Sequence, residues 1–355
     1  MHPRFTVISA VALLALTACG GDARTPATPA SLTPTAPADP LRDAANVSGK
    51  MIGTAVQSGL LRTPPYDTVA ARHFNYLTAE YEMKMGVIAQ SPGFNDYGPG
   101  DAIVGFAMAN GMRVKGHALV WHGSVPSWVE ALSPGDLRPM FENYIRDVAA
   151  HYRGRVFAWD VVNEAVADEG SGLRNTVFRR KLGDGYVAEA FRLARQADPA
   201  ARLIYNDYGG EGLNTKSNRI YELVRSLIAE GVPIDGVGLQ MHITASNPPN
   251  AASVAANVRR LADLGLTVNI SEMDVRIRDA PGTAQARLEL QKSVYKSMVG
   301  VCVEEMRCDG VTFWGFTDAH SWIDSRFGAD DPLLFDEQYA AKPAFFGVLE
   351  ALLRR

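Results

Sequence analysis

Short apolar segments rich in β-branched and aromatic residues alternate with amphipathic segments from about residue 46 onward. The apolar segments are predicted to be strands at residues 52–56, 73–78, 113–121, 156–163, 202–206, 236–241, 267–270 and 310–316. The amphipathic segments, such as residues 137–152, have apolar residues at helical spacing. Alternation of strands and helices predicts a parallel sheet, and eight such units favour a single catalytic domain folded as a (β/α)8 TIM barrel.

The alternative architecture is a doubly wound open sheet, which also alternates strands and helices. Its dinucleotide-binding version carries a Gly-x-Gly-x-x-Gly turn after the first strand. No such turn follows residues 52–56. The closed barrel is therefore the preferred prediction.

Polar and aromatic side chains follow seven of the eight predicted strands, at the end where barrel enzymes carry their active sites. Buried amides, imidazoles and carboxylates need hydrogen-bonding partners, so a purely structural core has little use for them. The pattern predicts a binding site at this face of the barrel. These residues are Glu80, Lys84, His117, Trp121, Asn163, Glu164, Asn206, Asp207, Tyr208, Gln240, His242, Glu272, Asp274 and Trp314.

Two of these side chains, Glu164 and Glu272, end the fourth and seventh predicted strands. A pair of carboxylates is the usual equipment of glycosidases. Barrel geometry, with strands about 4.8 Å apart and tilted by ~36°, places the two carboxyl groups on the order of 6 Å apart. Retaining enzymes need about 5–5.5 Å and inverting enzymes about 6.5–9.5 Å, so the estimate leans towards retention and leaves both open.

Composition and residue spacing argue against nucleic acid, a metal ion or a cofactor as a ligand. The 355-residue chain is 47% hydrophobic and 21% charged, with a net charge of −4. It has no run of lysines and arginines, so nucleic acid is not an expected partner. No group of His, Cys and Asp has metal-ligand spacing, and neither a metal nor a cofactor is predicted.

The N-terminus reads as a targeting segment. Arg4 precedes an apolar run at residues 5–16, and Cys19 follows it, an arrangement that resembles a bacterial lipoprotein signal. We expect residues 1–18 to be a signal peptide, Cys19 to be lipidated, residues 19–45 to be a Pro/Ala/Thr-rich linker and residues 46–355 to be the barrel. An ordinary secretory signal is the alternative. Gly20 and Gly21 place no acidic residue immediately after the cysteine, which in a Gram-negative cell, by resemblance to known sorting rules, favours the outer membrane.

Cys302 and Cys308 are the remaining cysteines, six residues apart. In an oxidising compartment they would close a small disulfide loop, and two buried free thiols are the alternative.

Ordered motifs along nearly all of residues 47–355 give the chain a family resemblance. The motifs are 78–80 (TAE), 83–84 (MK), 116–122 (GHALVWH), 126–128 (PSW), 159–164 (WDVVNE), 206–208 (NDY), 238–242 (GLQMH), 271–274 (SEMD), 314–315 (WG), 321–322 (SW), 333–336 (LLFD) and 342–343 (KP). With these motifs in this order, the chain resembles glycoside hydrolase family 10, the retaining endo-β-1,4-xylanases, and many members carry a disulfide where Cys302 and Cys308 stand.

The resemblance implies a role for each matching residue. Glu272 would be the nucleophile and Glu164 the acid and then the base. His242 would hydrogen-bond Glu272, with Asp274 orienting the imidazole. Asn163 would hold the 2-hydroxyl of the reacting sugar. The remaining matches would contact substrate: Gln240 near that hydroxyl, Glu80, Lys84, His117 and Trp121 on the non-reducing side, Trp314 and Trp322 as apolar walls, and Tyr208 facing the aglycone.

Four positions depart from the usual family pattern: Tyr81, Met85, the Gly123–Ser124 pair and Gly209. Three of them lie near the non-reducing-side subsites, so they affect substrate preference and not the type of reaction.

The family resemblance implies xylan or xylo-oligosaccharides as the ligand. The N-terminal signal implies membrane contact through the lipid anchor only, and we expect a monomer. Two rival functions are a related retaining glycosidase acting on another β-linked glycan, and a glycan-binding lipoprotein on an inactive scaffold. Activity on a polysaccharide panel separates the first from a xylanase. The presence of both glutamates with His242 and Asn163 disfavours the second.

Overall fold

The computed structural model describes residues 40–354, and the expected signal peptide, Cys19 and most of the expected linker lie outside these residues. Nine strands occur in the described part of the chain. They are β1 (Met51–Val56), β2 (Tyr76–Ala79), β3 (Arg113–Trp121), β4 (Ala158–Asn163), β5 (Arg202–Asp207), β6 (Gly236–Leu239), β7 (His242–Thr244), β8 (Thr267–Arg276) and β9 (Cys308–Phe313).

Eight of these strands close into a parallel barrel, which confirms the predicted (β/α)8 fold. Neighbours follow chain order from β1 to β6, β6 then pairs with β8, and β9 pairs with both β8 and β1. Since all pairings between named strands are parallel, the carboxyl ends of the eight strands meet at one face.

The short strand β7 lies outside this ring and pairs only with the last third of β8. The seventh predicted strand ends at residue 270, but β8 continues to Arg276. This extension sets His242 opposite Asp274 in the register. Two side chains of the predicted site are thereby brought together by backbone pairing.

Thirteen α-helices surround the barrel in the described residues, together with two 3₁₀ turns at Ser58–Leu60 and Asp318–His320. The helices are α1 (Leu41–Ser48), α2 (Tyr66–His73), α3 (Met85–Ile88), α4 (Gly98–Ala109), α5 (Ser127–Ala131), α6 (Pro134–His151), α7 (Val177–Leu182), α8 (Tyr186–Ala197), α9 (Thr215–Ala229), α10 (Ala251–Ala262), α11 (Ala284–Glu304), α12 (Trp322–Phe327) and α13 (Pro343–Leu352).

Local sequence explains where the long helices begin. The Ser133 hydroxyl accepts from the backbone N–H of Asp136 at the start of α6. Asn214 and Ser217 form a reciprocal capping box at the start of α9. These side chains satisfy N–H groups that lack partners in the first helical turn.

Two expected boundaries were wrong. Residues 41–45 were assigned to the linker, but they form the first part of α1, where Leu41 and Ala45 are fully buried and the helix packs on α13. His73 was assigned to the second strand but ends α2, where its ring packs at a tilt against Phe335 and edge-on against Phe345. Both segments are too short for periodicity to fix their ends.

The Cys302 and Cys308 sulfurs are joined in the structure, with the Cα atoms 5.0 Å apart. The bond ties the last turn of α11 to the first residue of β9. Both cysteines are buried, so the link lies on the interior side of this connection.

Candidate active site

A cavity of about 490 Å³ opens at the carboxyl ends of the barrel strands and is called the central cavity below. Both glutamates of the predicted pair line it, on opposite sides of the ring: Glu164 follows β4 and Glu272 lies on β8. Its lining is Tyr81, Lys84, His117, Trp121, Asn163, Glu164, Tyr208, Gln240, His242, Glu272, Arg276, Trp314, Trp322, Ile323, Arg326 and Phe327.

The Glu272 carboxylate is buried and held by hydrogen bonds on both oxygens. The Asn206 side-chain amide donates to Oε1 at 2.6 Å, and His242 Nε2 lies 3.1 Å from Oε2. Burial acts to raise the pKa of Glu272, but His117, His242 and Lys84 outweigh it and lower the pKa to about 2. Glu272 is therefore an ionised carboxylate over the whole ordinary pH range.

His242 is positioned by a carboxylate on its other side. Its Nδ1 lies 2.7 Å from Asp274 Oδ2, and the same oxygen accepts from Trp322 Nε1 at 2.9 Å. Burial lowers the pKa of His242, but Asp274 and Glu272 outweigh it and raise the pKa to about 10. A single buried carboxylate thus fixes the charged imidazole and one aromatic wall of the cavity.

The Glu164 carboxyl group occupies the other side of the cavity. Its backbone has φ of 59°, in the left-handed region that residues other than glycine rarely adopt, and its N–H donates to the Asn206 carbonyl at 2.8 Å. Trp121 Nε1 donates to Oε2 at 2.8 Å, and Gln240 Nε2 donates to Oε1 at 3.0 Å. Strain of this kind persists where surrounding contacts enforce it, and it is concentrated at functional sites.

A hydrogen-bonded path joins the two glutamates. Asn163 Oδ1 accepts from Asn206 Nδ2 at 2.9 Å and from Gln240 Nε2 at 3.2 Å. Asn206 also binds Glu272, and Gln240 also binds Glu164. The three amides therefore fix the positions of both carboxyl groups relative to each other.

Lys84 lies between aromatic side chains near both glutamates. Its ammonium is 4.6 Å from the Trp121 ring centroid and 5.6 Å from that of Trp314. Burial lowers the pKa of Lys84, against the opposing effect of Glu272, Glu80 and Glu164. The His117 ring packs edge-on against Trp314 at 4.9 Å.

Asp160 and Lys115 form a buried ion pair beneath the cavity, and this pair contacts His117. His117 Nδ1 lies 2.9 Å from Asp160 Oδ2, and Lys115 Nζ lies 2.8 Å from Asp160 Oδ1. All three side chains are buried. The second imidazole of the cavity is thus oriented by a carboxylate, as His242 is.

Tyr208 belongs to a polar group at the edge of the cavity. Its hydroxyl bonds to Asp168 and accepts from Arg174 Nη2 at 3.1 Å. Lys216 Nζ lies 3.6 Å from the Tyr208 ring centroid and 3.0 Å from Asp207 Oδ1. These contacts hold the ring in a fixed orientation.

Most of the predicted substrate-binding residues line the central cavity, and one does not. Lys84, His117, Trp121, Tyr208, Gln240, Trp314 and Trp322 are in the lining. Glu80 was expected there but is only 3% exposed, and its carboxylate accepts from Gln57 Nε2 at 3.1 Å. Asp274 lies behind His242 and has no exposed surface.

Several residues that shape the site have no role predicted from the sequence. Asn206 was noted at a strand end, yet its bonds to Glu272 and Asn163 were not anticipated. Arg276, Arg326 and Phe327 line the cavity without any signal in the sequence pattern.

The four departures from the family pattern have different environments. Tyr81 lines the cavity and is 43% exposed. Met85 is buried outside the lining, and Gly209 adopts φ of 68°. Ser124 is also outside the lining, where its hydroxyl accepts from the Gly86 N–H at 3.3 Å. Tyr81 is therefore the departure placed to contact a ligand.

Within residues 40–354, no group of three or more His, Cys, Asp and Glu side chains is arranged to hold a metal ion. In the same range, no helix has the length and apolar character needed to cross a membrane.

Comparison with known proteins places this arrangement in a family. The family model described as glycosyl hydrolase family 10 matches residues 40–351. Endo-1,4-beta-xylanase B of Thermotoga neapolitana is 39% identical over 321 residues, covering 88% of this chain and 91% of that protein.

Two solved structures are similar throughout. Native xylanase 10B from Thermotoga maritima has a TM-score of 0.85 at 39% identity, covering 89% of this chain and 98% of that one. Xylanase 10B from Thermotoga petrophila RKU-1 in complex with xylobiose has the same TM-score at 38% identity, covering 89% and 97%. The chain belongs to glycosyl hydrolase family 10.

Proposed function

We propose that this protein is an endo-1,4-β-xylanase that cleaves internal bonds of xylan with retention of anomeric configuration. The observation that carries the proposal is the ionised Glu272 facing Glu164 across one cavity. The names of the relatives support the choice of xylan, as does the xylobiose bound by the Thermotoga petrophila protein.

In the first step, a Glu272 oxygen attacks the anomeric carbon while Glu164 gives its proton to the departing glycosidic oxygen. The bond to the leaving sugar breaks, and a covalent glycosyl ester forms on Glu272. The hydrogen bonds from Asn206 and His242 hold the carboxylate for this attack. Because that carboxylate is already ionised, no proton must leave Glu272 beforehand.

In the second step, the Glu164 carboxylate takes a proton from water, and the water oxygen attacks the anomeric carbon. The ester bond to Glu272 breaks and the carboxylate is regenerated. Two successive inversions give net retention. Trp121, Gln240 and Asn163 hold Glu164 through both proton transfers.

The apolar walls and the side-chain amides of the cavity have different roles in binding the sugar. Trp314 and Trp322 provide flat apolar surfaces for a sugar ring, while Asn163 and Gln240 lie beside the reacting centre. Amides next to the 2-hydroxyl supply hydrogen bonds that strengthen in the transition state.

The test is proton NMR of the first products formed from a linear xylo-oligosaccharide. Retention predicts that the β-anomer appears first and then mutarotates. Initial formation of the α-anomer, or no cleavage of β-1,4-xylan while another β-glycan is cleaved, contradicts the proposal.

We also propose that the protein is exported and anchored through lipid on Cys19, with residues 1–18 removed. The support is the apolar run at residues 5–16 followed by Cys19, and a link between Cys302 and Cys308 that suits an oxidising compartment. A multiply acylated N-terminus is enough for stable anchoring. Gly20 and Gly21 favour the outer membrane.

Metabolic labelling with palmitate and membrane fractionation test the anchor. The wild-type protein should be labelled and sediment with membranes, and Cys19→Ser should lose both properties. Labelling and sedimentation that survive this substitution contradict the proposal.

A further inference from the structure

Two arginines line the central cavity beside the proposed nucleophile. Arg276 is the last residue of β8, on the same strand as Glu272, and Arg326 lies in α12, which begins at Trp322. The extension of β8 beyond the barrel and the α12 segment bring both guanidinium groups to one wall. This wall also contains Ile323 and Phe327.

Neither arginine has an ionic partner among residues 40–354. The Arg276 guanidinium lies 4.2 Å from the Phe327 ring centroid, a cation–π contact that leaves its N–H groups available. Arg278, two residues further along, is different: it pairs with Asp279 and donates to the Phe327 carbonyl. Arg276 and Arg326 therefore line the cavity without a carboxylate partner in the described part of the chain, whereas the neighbouring Arg278 has one.

A neutral xylan backbone gives these charges no partner. Xylose carries only hydroxyl groups, whereas guanidinium groups bind carboxylates through two parallel charge-assisted hydrogen bonds. The protein has a net charge of −4, which repels an acidic polymer as it approaches. Two free cations at one wall offset that repulsion locally.

We propose that Arg276 and Arg326 bind the carboxylate of a uronic acid branch on the xylan chain, and so select acidic xylan as substrate. This inference rests on the proposed xylanase function and names its substrate class. Phe327 is 40% exposed and provides an apolar surface for the branch sugar, while it holds the Arg276 guanidinium in place. Neighbouring Trp322 contacts the main chain at the same wall.

The test compares glucuronoxylan with the same polymer after its uronic carboxyl groups have been reduced to alcohols. The two substrates share backbone and branching and differ only in charge. The measured quantity is the ratio of kcat/KM on the acidic polymer to kcat/KM on the reduced one. For the wild-type protein this ratio should exceed one, and it should decrease at high salt because ions screen the contact.

The double variant Arg276→Gln, Arg326→Gln should lower this ratio by about tenfold, the size expected when a charge-assisted contact is lost. Arg276→Lys should lower it less, because it keeps the charge but loses the paired N–H geometry. Arg225→Gln on the exposed surface of α9 is the matched control and should leave the ratio unchanged.

Three results would overturn the inference: a wild-type ratio of one, a ratio unchanged in the double variant, or an equal decrease in the control. Failure of the proposed function gives a different result. In that case the wild-type protein would be inactive on the reduced polymer as well as on the acidic one.

Discussion

The Asn206 side-chain amide donates to Glu272 Oε1 at 2.6 Å, the shorter of the two hydrogen bonds described above for that carboxylate. The same amide nitrogen reaches Asn163, and Ser271 Oγ lies 2.5 Å from the Asn206 side-chain oxygen. Asn206 is fully buried, so its orientation is set by these contacts and not by solvent. Its function is to position the nucleophile.

Substitution of Asn206 by alanine should lower kcat by about 10- to 100-fold, since a hydrogen bond to a charged group contributes about 1.5–3 kcal/mol. KM should change less, because the side chain is buried below the cavity surface. Asn206→Asp should be no better than alanine, because it places a second carboxylate against Glu272. Steady-state kinetics on xylohexaose measure both constants.

Asn175→Ala is the control, since that asparagine is exposed in the loop before α7. A kcat for Asn206→Ala within twofold of the control would contradict the positioning role.

The charged pair of His242 and Glu272 should make stability depend on pH in a defined window. The pKa of His242 rises from 6.5 to about 10, so its contribution is complete below pH 6.5 and is lost as pH rises towards 10. The pKa of Glu272 falls from 4.5 to about 2, so its contribution is complete above pH 4.5 and is lost as pH falls towards 2.

Both contributions are complete only between pH 4.5 and 6.5. The difference in free energy of unfolding between wild type and His242→Gln should therefore be largest in that window and smaller on either side. Urea unfolding across the pH range measures it, with His320→Gln, an exposed histidine after β9, as control. A difference that grows above pH 6.5 would show that His242 is neutral in the folded protein.

The bond between Cys302 and Cys308 closes a short loop. A loop of this length should contribute about 2 kcal/mol by restricting the unfolded chain. The double variant Cys302→Ser, Cys308→Ser should lose that stability, and dithiothreitol should lower the Tm of the wild type to that of the variant. Equal Tm values for wild type and variant under oxidising conditions would indicate that the loop is not closed in solution.

Tyr81 should weaken the binding of short linear substrates. It offers one hydroxyl at the cavity where the family commonly has an asparagine, whose amide both donates and accepts. Tyr81→Asn should raise kcat/KM on xylotetraose by about 2- to 12-fold, the effect of one neutral hydrogen bond. Ser124→Gln should not raise it, because Ser124 lies outside the cavity lining. A higher kcat/KM on xylotetraose for Ser124→Gln than for Tyr81→Asn would contradict this account.

The hydrophobic pattern was sufficient to predict the barrel, because eight buried strands each leave a short apolar run in the sequence. The pattern could not predict the residues at which the helices and strands begin and end. The α1 helix is short, and its buried face consists of Leu41, Ala44 and Ala45 next to a Pro/Ala-rich segment. Beyond residue 270, β8 contains the polar residues Glu272 and Asp274 of the site. These residues interrupt the apolar pattern that predicts a strand.

The candidate site was predictable where a polar side chain interrupts an apolar strand end, as at Glu164, His242 and Glu272. Residues that act through other residues carry no such signal: whether Asn206 faces Glu272 depends on the strand register. Arg276 and Arg326 are distant in sequence from each other and are brought to one wall by the path of α12. That path depends on tertiary packing, which the local sequence pattern does not show.

The central claim, that Glu272 is the nucleophile and Glu164 the acid and base, is tested most directly by azide rescue of the two alanine variants. Glu272→Ala should lose activity on every substrate, and azide should attack directly to give an α-glycosyl azide. Glu164→Ala should keep much more activity on substrates with good leaving groups, which need little protonation, and azide should give a β-glycosyl azide through the covalent intermediate. NMR of the azide products decides between the assignments: an α-azide from Glu272→Ala and a β-azide from Glu164→Ala are predicted, and the reverse pair would contradict the account.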